Sequence, residues 1–383
     1  MPTSQLPRTL FSSTAPMAFA LLAAVLLGGC SLGPAKLPAT RMDYNLAVQR
    51  SANEEMLLNL VRMKYFEQPL FLQVGSIASS FNYNVTGTAT GTFPDQRDFL
   101  RSIYYNYTPS ISATYSDSPT VTYTPYQGQT YAQQFLAEVD FERFVVLYKS
   151  GWDIEYLLRV LVTRLGRLDH SFDPRVGYFD LEAHRRFLEL TKIIADMDDR
   201  GNLDIVTASP GKDKANITVM TLRFATEAEA ARVAELVGED LKARRTPQGH
   251  LVAKVRLVPV KEHELTLEQQ DTNGFPTLAL GLRNCLRAMD LLSQGIEAPK
   301  ELVAKKAAFD LREHFSDVMD IRSSRTRPSD SFVAVNHDGW WYSIRREDTR
   351  SKEVFQLMLN LFALQSADPP KNTPVLTLPV GGN

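Results

Sequence analysis

The sequence predicts an α+β protein: a helical hairpin with a β-rich tract, followed by a small α/β sandwich and a C-terminal hairpin-helix-strand unit. Three observations carry that expectation. Phe81, Tyr83 and Val85 alternate with Asn82, Asn84 and Thr86, the two-residue period of a strand. Two apolar helical patterns follow, from Phe135 to Lys149 and from Trp152 to Leu165. Residues 181–260 then read helix, strand, strand, helix, strand, an order that suits helices on one face of a small sheet.

At the N-terminus an apolar run from Met17 leads into Leu27-Gly28-Gly29-Cys30-Ser31. The run is too short and wrongly flanked for a bilayer span, and small residues before a cleavage point suit a signal peptidase. This stretch resembles a bacterial lipoprotein precursor. The resemblance implies that residues 1–29 are a signal peptide, that Cys30 is the acylated first residue, and that Ser31 directs the product to the outer membrane. Each buried methylene contributes roughly 0.8 kcal/mol, so two or three acyl chains anchor stably. Residues 30–40, with Pro34 and Pro38, are expected to be a short tether.

Of the 383 residues, 354 remain without that leader, enough for two or three domains. The expected divisions are 41–170, 171–262 and 263–383. The leader holds one charge, Arg8, so 41 Lys and Arg then face 44 Asp and Glu. Such a balance attracts no nucleic acid. With Cys30 acylated, Cys285 is left without a disulfide partner and reads as a small buried hydrophobe.

The first helix is expected from a capping box at Ser51 and Glu54, with Asp43 to Arg50 as an alternative, earlier beginning, Met56, Leu57, Leu60 and Val61 on one face and Pro69 as its stop. Phe71 to Tyr126 is the β-rich tract, Thr- and Tyr-laden and low in charge, with a turn at Pro94-Asp95. Two readings of it stay open. It is either a small sheet packed against the helices with half-buried tyrosines, or a set of exposed edges that pair with neighbouring copies. A membrane-inserting ring is a subset of the second. One chain has too few strands to close a barrel and lipid tolerates no open edge, so insertion requires an oligomer.

Farther on, Leu181–Asp198 and Glu227–Leu241 read as helices and Leu203–Val206, Ile217–Leu222 and Leu251–Val260 as strands. Thr277 to Gln294 is predicted helical, and Arg322 to Pro328 a basic connector on a solvated loop. Phe332–Val335 and Trp340–Ile344 flank a polar turn and form the clearest hairpin. There Trp340 and Trp341 are expected on opposite faces, one in the core and one exposed. A helix from Ser351 and an edge strand within Pro374–Val380, bracketed by prolines, complete the chain.

Three segments are similar to a group of uncharacterised envelope lipoproteins of Gram-negative bacteria. They are Asn59–Tyr65 leading to Pro69–Leu72, Tyr123–Gly128 leading to Ser150–Trp152, and Phe332–Val335 through Ser351-Lys352 to Leu376–Val380. The resemblance implies an envelope location and brings no reaction or ligand.

No motif carries chemistry. The six histidines form no H-E-x-x-H, and Glu313-His314 with Asp317 and Asp320 reads as a solvated helix face. The acids Asp196, Asp198, Asp199 and Asp204 break the EF-hand pattern, since position twelve from Asp196 is Thr207. No catalytic residue, metal or cofactor is predicted. The leading expectation is a noncatalytic, lipid-anchored outer-membrane lipoprotein with a periplasmic body, a scaffold that binds another envelope protein or its own copies. Tyr104, Tyr105, Tyr107, Trp340 and Trp341 are its candidate interaction surface. The alternatives are a subunit of an oligomeric outer-membrane pore or secretion channel and a lipid-anchored envelope hydrolase.

Overall fold

A computed structural model of the chain describes residues 32–91, 107–131, 135–170, 180–208, 217–260, 275–365 and 376–379. Cys30, the Pro94-Asp95 turn, Tyr104 and Tyr105 lie outside the described residues. In chain order the elements are α1 (Leu32–Lys64), β1 (Leu72–Gly91), β2 (Tyr107–Pro125), α2 (Gly128–Tyr131), α3 (Phe141–Lys149), α4 (Ile154–Leu161), β3 (Val162–Leu165), β4 (Leu168–Asp169), α5 (Leu181–Asp199), β5 (Leu203–Ala208), β6 (Ile217–Phe224) and α6 (Glu227–Val237). There follow β7 (Arg244–Arg245), β8 (Leu251–Pro259), β9 (Thr277–Leu282), α7 (Cys285–Ser293), α8 (Lys300–Ala304), α9 (Arg312–Phe315), β10 (Arg322–Ser324), β11 (Ser331–His337), β12 (Trp340–Arg345), α10 (Thr349–Gln365) and β13 (Leu376–Pro379). The architecture is α+β, with helices interleaved among three sheets in roughly the predicted order.

Two compact units divide the chain, residues 1–56 and 57–383. In the first, the helix is mostly exposed and carries an Arg50–Glu54 ion pair at 3.7 Å. Helix α1 corrects two expectations. It starts at Leu32, inside the stretch read as a tether, and Ser51 lies in its interior instead of capping it. Pro34 falls in the first turn, where a missing N–H costs nothing because that donor has no intrahelical partner.

The core of the second unit is a seven-stranded sheet of order β4-β3-β9-β8-β6-β5, with β7 paired to β8. Only β8 and β9 run parallel; the other pairs are antiparallel. β6 shows why the sheet forms: Thr218, Met220, Leu222 and Phe224 are buried, and the residues between them are less so. Helices α3 and α5 contact β5, while α4 packs on α5 and α7. The boundaries expected at 170 and 262 fall between strands of this one sheet.

Two predicted helices are corrected by this sheet. Val162–Leu165 leaves the helical pattern and becomes β3, and Thr277–Leu282 becomes β9, flanked by β8 and β3. Both are short apolar runs buried among other elements, for which periodicity cannot separate helix from strand. Gly281 admits the close approach: a Cβ there would stand 2.6 Å from Thr163 Oγ1. The helix then starts at Cys285, with Asn284 accepting from the Arg287 N–H at 2.8 Å.

The small sheet β10-β12-β11 turns at Asp338-Gly339, both with positive φ (48° and 76°), as a two-residue hairpin turn requires. The third sheet, β1-β2-β13, confirms the terminal strand as an edge strand, with Leu376–Pro379 running antiparallel to Tyr123–Thr120.

Candidate functional site

The β1–β2 hairpin is the candidate site, and packing fixes its root. Phe71 and Tyr126, just outside the two strands, are buried, and the Tyr126 N–H donates to the Phe71 carbonyl at 3.2 Å. Ring centroids of Phe71 lie 5.5 Å from Phe135 and 4.7 Å from Phe362; Tyr126 meets the same two rings edge-on at 5.3 and 6.0 Å. Four rings thus clamp both legs. The buried side chain of Asn59 donates to the Leu70 carbonyl (2.6 Å) and accepts from the Leu70 N–H (3.0 Å), so α1 holds the chain as it enters β1.

Beyond the root the strands run as an antiparallel pair of 20 and 19 residues. At about 3.3 Å per residue, β1 is roughly 65 Å long. An irregularity between Val74 and Ser76 sets a register that holds from there to the end: odd residues face odd, and even face even. Because successive residues take opposite faces, the two faces differ in composition. The odd positions pair Ile77, Ser79, Phe81, Tyr83, Val85, Gly87, Ala89 and Gly91 with Val121, Pro119, Asp117, Tyr115, Ala113, Ile111, Pro109 and Tyr107. On the even face of β2, every position from Thr108 to Thr122 is Ser or Thr, opposite Ser, Ala, Asn and Thr of β1. Ser110 Oγ donates to Thr88 Oγ1 at 3.2 Å across this face.

Charge is nearly absent: β1 has none, and β2 has Asp117 alone. Beyond each other and β13, the two strands make no extensive contact with another element among the described residues. Thr86, Gly87, Thr88, Ser110, Ser112 and Thr114 are exposed. The expectation of a small sheet buried by helices is corrected here, since α3 and α4 pack on the seven-stranded sheet and its helices instead. Among the described residues no strand pairs with the outer edge of β1 from Gln73 to Gly91, and no proline or charge blunts it, the state that soluble proteins avoid. Near its root an open groove of about 580 Å³ has a mixed lining, with Met63, Phe66, Leu136 and Leu286 beside the charged Glu67, Arg287 and Asp290, and Leu70 and Leu72 are exposed.

Of the predicted interaction residues, Tyr107 opens β2, opposite Gly91. Trp340 and Trp341 are both half-buried, which corrects the expected division into one core and one exposed ring. Arg325 lies 3.7 Å over Trp340 and Arg327 5.1 Å over Trp341, so guanidinium groups cover part of each. The basic connector is likewise not a free loop. Its Arg322 is in β10 and pairs with Asp320 at 2.7 Å, and Arg325 pairs with Glu301 at 2.7 Å.

Asp320, expected on a solvated face, is buried between Arg312 and Arg322, and Asp317 pairs with the buried Arg159 at 2.7 Å. Glu67, His337 and Asp338 bring ligand atoms within 4.8 Å of one another. Glu67 sits 3.0 Å from His337 Nε2 and Asp338 4.0 Å from Nδ1, an arrangement that braces the ring from two sides under the stacked Tyr65 ring. The acids Asp196, Asp198 and Asp204 meet Arg200, the Tyr148 hydroxyl and Lys149, as helix end and turn.

Three buried groups were not legible as neighbours in the sequence. Arg283 donates to the Val162 carbonyl at 2.6 Å and to His170, and His170 Nε2 lies 3.1 Å from His184 Nδ1. Burial, with Arg283 and Arg159 nearby, holds His170 well below its ordinary pKa and His184 down to about 4. Burial also pushes Cys285 up to about 12, which makes it an inert thiol, and Lys64 down to about 8.

Among the described residues no helix is long and apolar enough to cross a membrane, a fact that says nothing of a β-barrel. The chain matches no family model, and no curated protein or solved structure is similar to it.

Proposed function

We propose that the chain is a subunit of an oligomeric pore or secretion channel in the outer membrane, anchored by lipid at Cys30, in which each copy supplies its β1–β2 hairpin to a shared barrel wall. The observation that carries this reading is the two-faced hairpin: from Tyr83–Tyr115 to Gly91–Tyr107 one face has no charged or Ser, Thr or Asn residue and the other is uncharged and polar, with no described strand on the outer β1 edge. Transmembrane strands alternate in this way between lipid and lumen. A lone hairpin leaves backbone groups unpaired and is not viable in lipid. Joining the β1 edge of one copy to the β2 edge of the next, over Tyr107–Pro119 where β13 does not pair, removes that cost there, and such head-to-tail contacts close into a ring. With two strands per copy, a barrel of at least about eight strands needs about four copies or more.

The scaffold reading placed first from sequence is contained in this one, since the partner becomes a second copy. An envelope hydrolase draws no support from the acids and histidines, which among the described residues mostly meet arginines, backbone and each other.

Native mass measurement of the membrane-extracted full chain in mild detergent tests the proposal. One homogeneous assembly of about four or more identical, acylated copies is expected. Monomers at every protein concentration would overturn it.

A further inference from the structure

Resting on the pore reading, the register also decides which part of the hairpin meets the bilayer. We infer that the membrane band is the stretch of nine residue pairs from Tyr83–Tyr115 to Gly91–Tyr107, with odd positions toward lipid and even positions toward the lumen. The root-side half of the hairpin, from Ile77–Val121 to Asn82–Ser116, then stands outside the bilayer as an extension of the barrel wall.

Length, charge and aromatic placement agree on this position. A strand crosses the hydrocarbon in about 9–11 residues, so the 20 residues of β1 are twice what a bilayer needs and only part of the hairpin can lie in it. Asp117 chooses the part. It occupies an odd position opposite Phe81, on the apolar face, where a charge is costly at mid-membrane and cheap at the interface. Shifting the band toward the root would bring Asp117 and Ser79 into the hydrocarbon.

On the other side, the first charged residues beyond Gly91 and before Tyr107 are Asp95 and Arg101. In sequence the band is thus an uncharged interval, bounded by Asp117 on one side and by Asp95 and Arg101 on the other. Tyrosines mark both boundaries: Tyr83 faces Tyr115 across the strands at one, and Tyr107 stands at the other with Tyr104 and Tyr105 close by in sequence. Aromatic girdles occupy these levels in transmembrane barrels.

The lumen face of the band is Asn84, Thr86, Thr88 and Thr90 with Thr108, Ser110, Ser112 and Thr114. All eight bond water and none is charged. Charged rings are what make pores ion-selective, so this lumen sorts solutes by size and discriminates little between cations and anions.

The test uses the full acylated chain in phosphatidylethanolamine–phosphatidylglycerol vesicles, with an environment-sensitive fluorophore on single introduced cysteines; native Cys285 is buried and does not compete. Val85→Cys and Ala113→Cys should be quenched by nitroxide lipids and not by iodide, Thr86→Cys and Ser112→Cys by iodide and not by nitroxide lipids, and Ile77→Cys and Val121→Cys by iodide alone. Equal lipid quenching at Ile77 and Val85, or loss of the odd–even difference, would overturn the band while the ring persists. Particle mass measured on the same sample separates that result from failure of the pore reading, in which no ring forms. In bilayer recordings Thr86→Asp should turn a weakly selective pore at least several-fold cation-selective, whereas Val85→Asp should abolish insertion; the reverse pattern would overturn the assignment of faces.

Discussion

Two β-structures in this chain obey the same alternation and end differently. In β6 of the seven-stranded sheet the alternate residues Thr218, Met220, Leu222 and Phe224 are buried within the body. In the β1–β2 hairpin the alternation is longer, yet no other element than β13 makes extensive contact with it among the described residues. Alternation specifies that a strand has an apolar face; what covers that face depends on what lies beside it. For β6 the cover is this chain's own interior, and for the hairpin no described element other than β13 supplies an extensive one.

The contrast is broken most severely at the hairpin root, where the two regions meet. Phe71→Ala removes one of four clamping rings and should cost about 3–5 kcal/mol of unfolding free energy in urea titrations. Val85→Ala on the shaft should cost less than about 0.5 kcal/mol in the isolated subunit. Comparable losses at the two sites would mean that the shaft is packed like the body.

Acid should destabilise the body and leave the hairpin indifferent. His184 titrates near 4 in the folded chain and near its ordinary 6.5 when unfolded, and His170 is lowered as well. The unfolded chain therefore takes up protons first, and stability present above pH 6.5 is lost as the pH falls toward 4. For His184 the loss is on the order of 3 kcal/mol. Urea midpoints at pH 7 and pH 4.5 should show it, and His184→Gln should flatten the slope.

Lys64 has the opposite consequence when replaced. Its pKa near 8 means that the body bears the cost of a buried charge in full below pH 8, a cost that disappears as the pH passes 10.5. Lys64→Met should stabilise the body by about 1–3 kcal/mol at pH 7, with the gain shrinking at alkaline pH. A destabilised Lys64→Met would show that its hydrogen bond to Gln294 outweighs desolvation.

The smallest change in stability should follow the largest change in sequence. Replacing residues 79–119 by an Asn-Gly turn keeps the Ala78–Thr120 pair and the contact with β13. The body's urea midpoint should move by less than the equivalent of about 0.5 kcal/mol. A large loss would make the hairpin part of the fold.

How much of this could be read from sequence depended on what covers each segment. The period-2 tract, the α5-to-β8 sequence of elements, the Asp338-Gly339 turn and the edge strand were legible because local pattern and turn chemistry determine them. β3 and β9 were not, because runs of four and six residues are too short for periodicity to separate strand from helix, and Pro34 and Pro38 concealed the start of α1. At the candidate site, the alternation from Phe81 to Thr86 was visible, but its two faces become defined only when Tyr83 is set opposite Tyr115. Parity alone would have found the polar face, since every even residue from Thr108 to Thr124 is Ser or Thr. The joining of His170, His184 and Arg283 depends on tertiary packing over more than a hundred residues, and no local signal announces it.

Planar-bilayer recording of the full chain beside the form lacking residues 79–119 tests most directly whether the hairpin walls a pore. Discrete, uniform conductance steps from the full chain and none from the shortened one are the predicted result. Equal steps from both, or none from a full chain that has bound the bilayer as a ring, would contradict it.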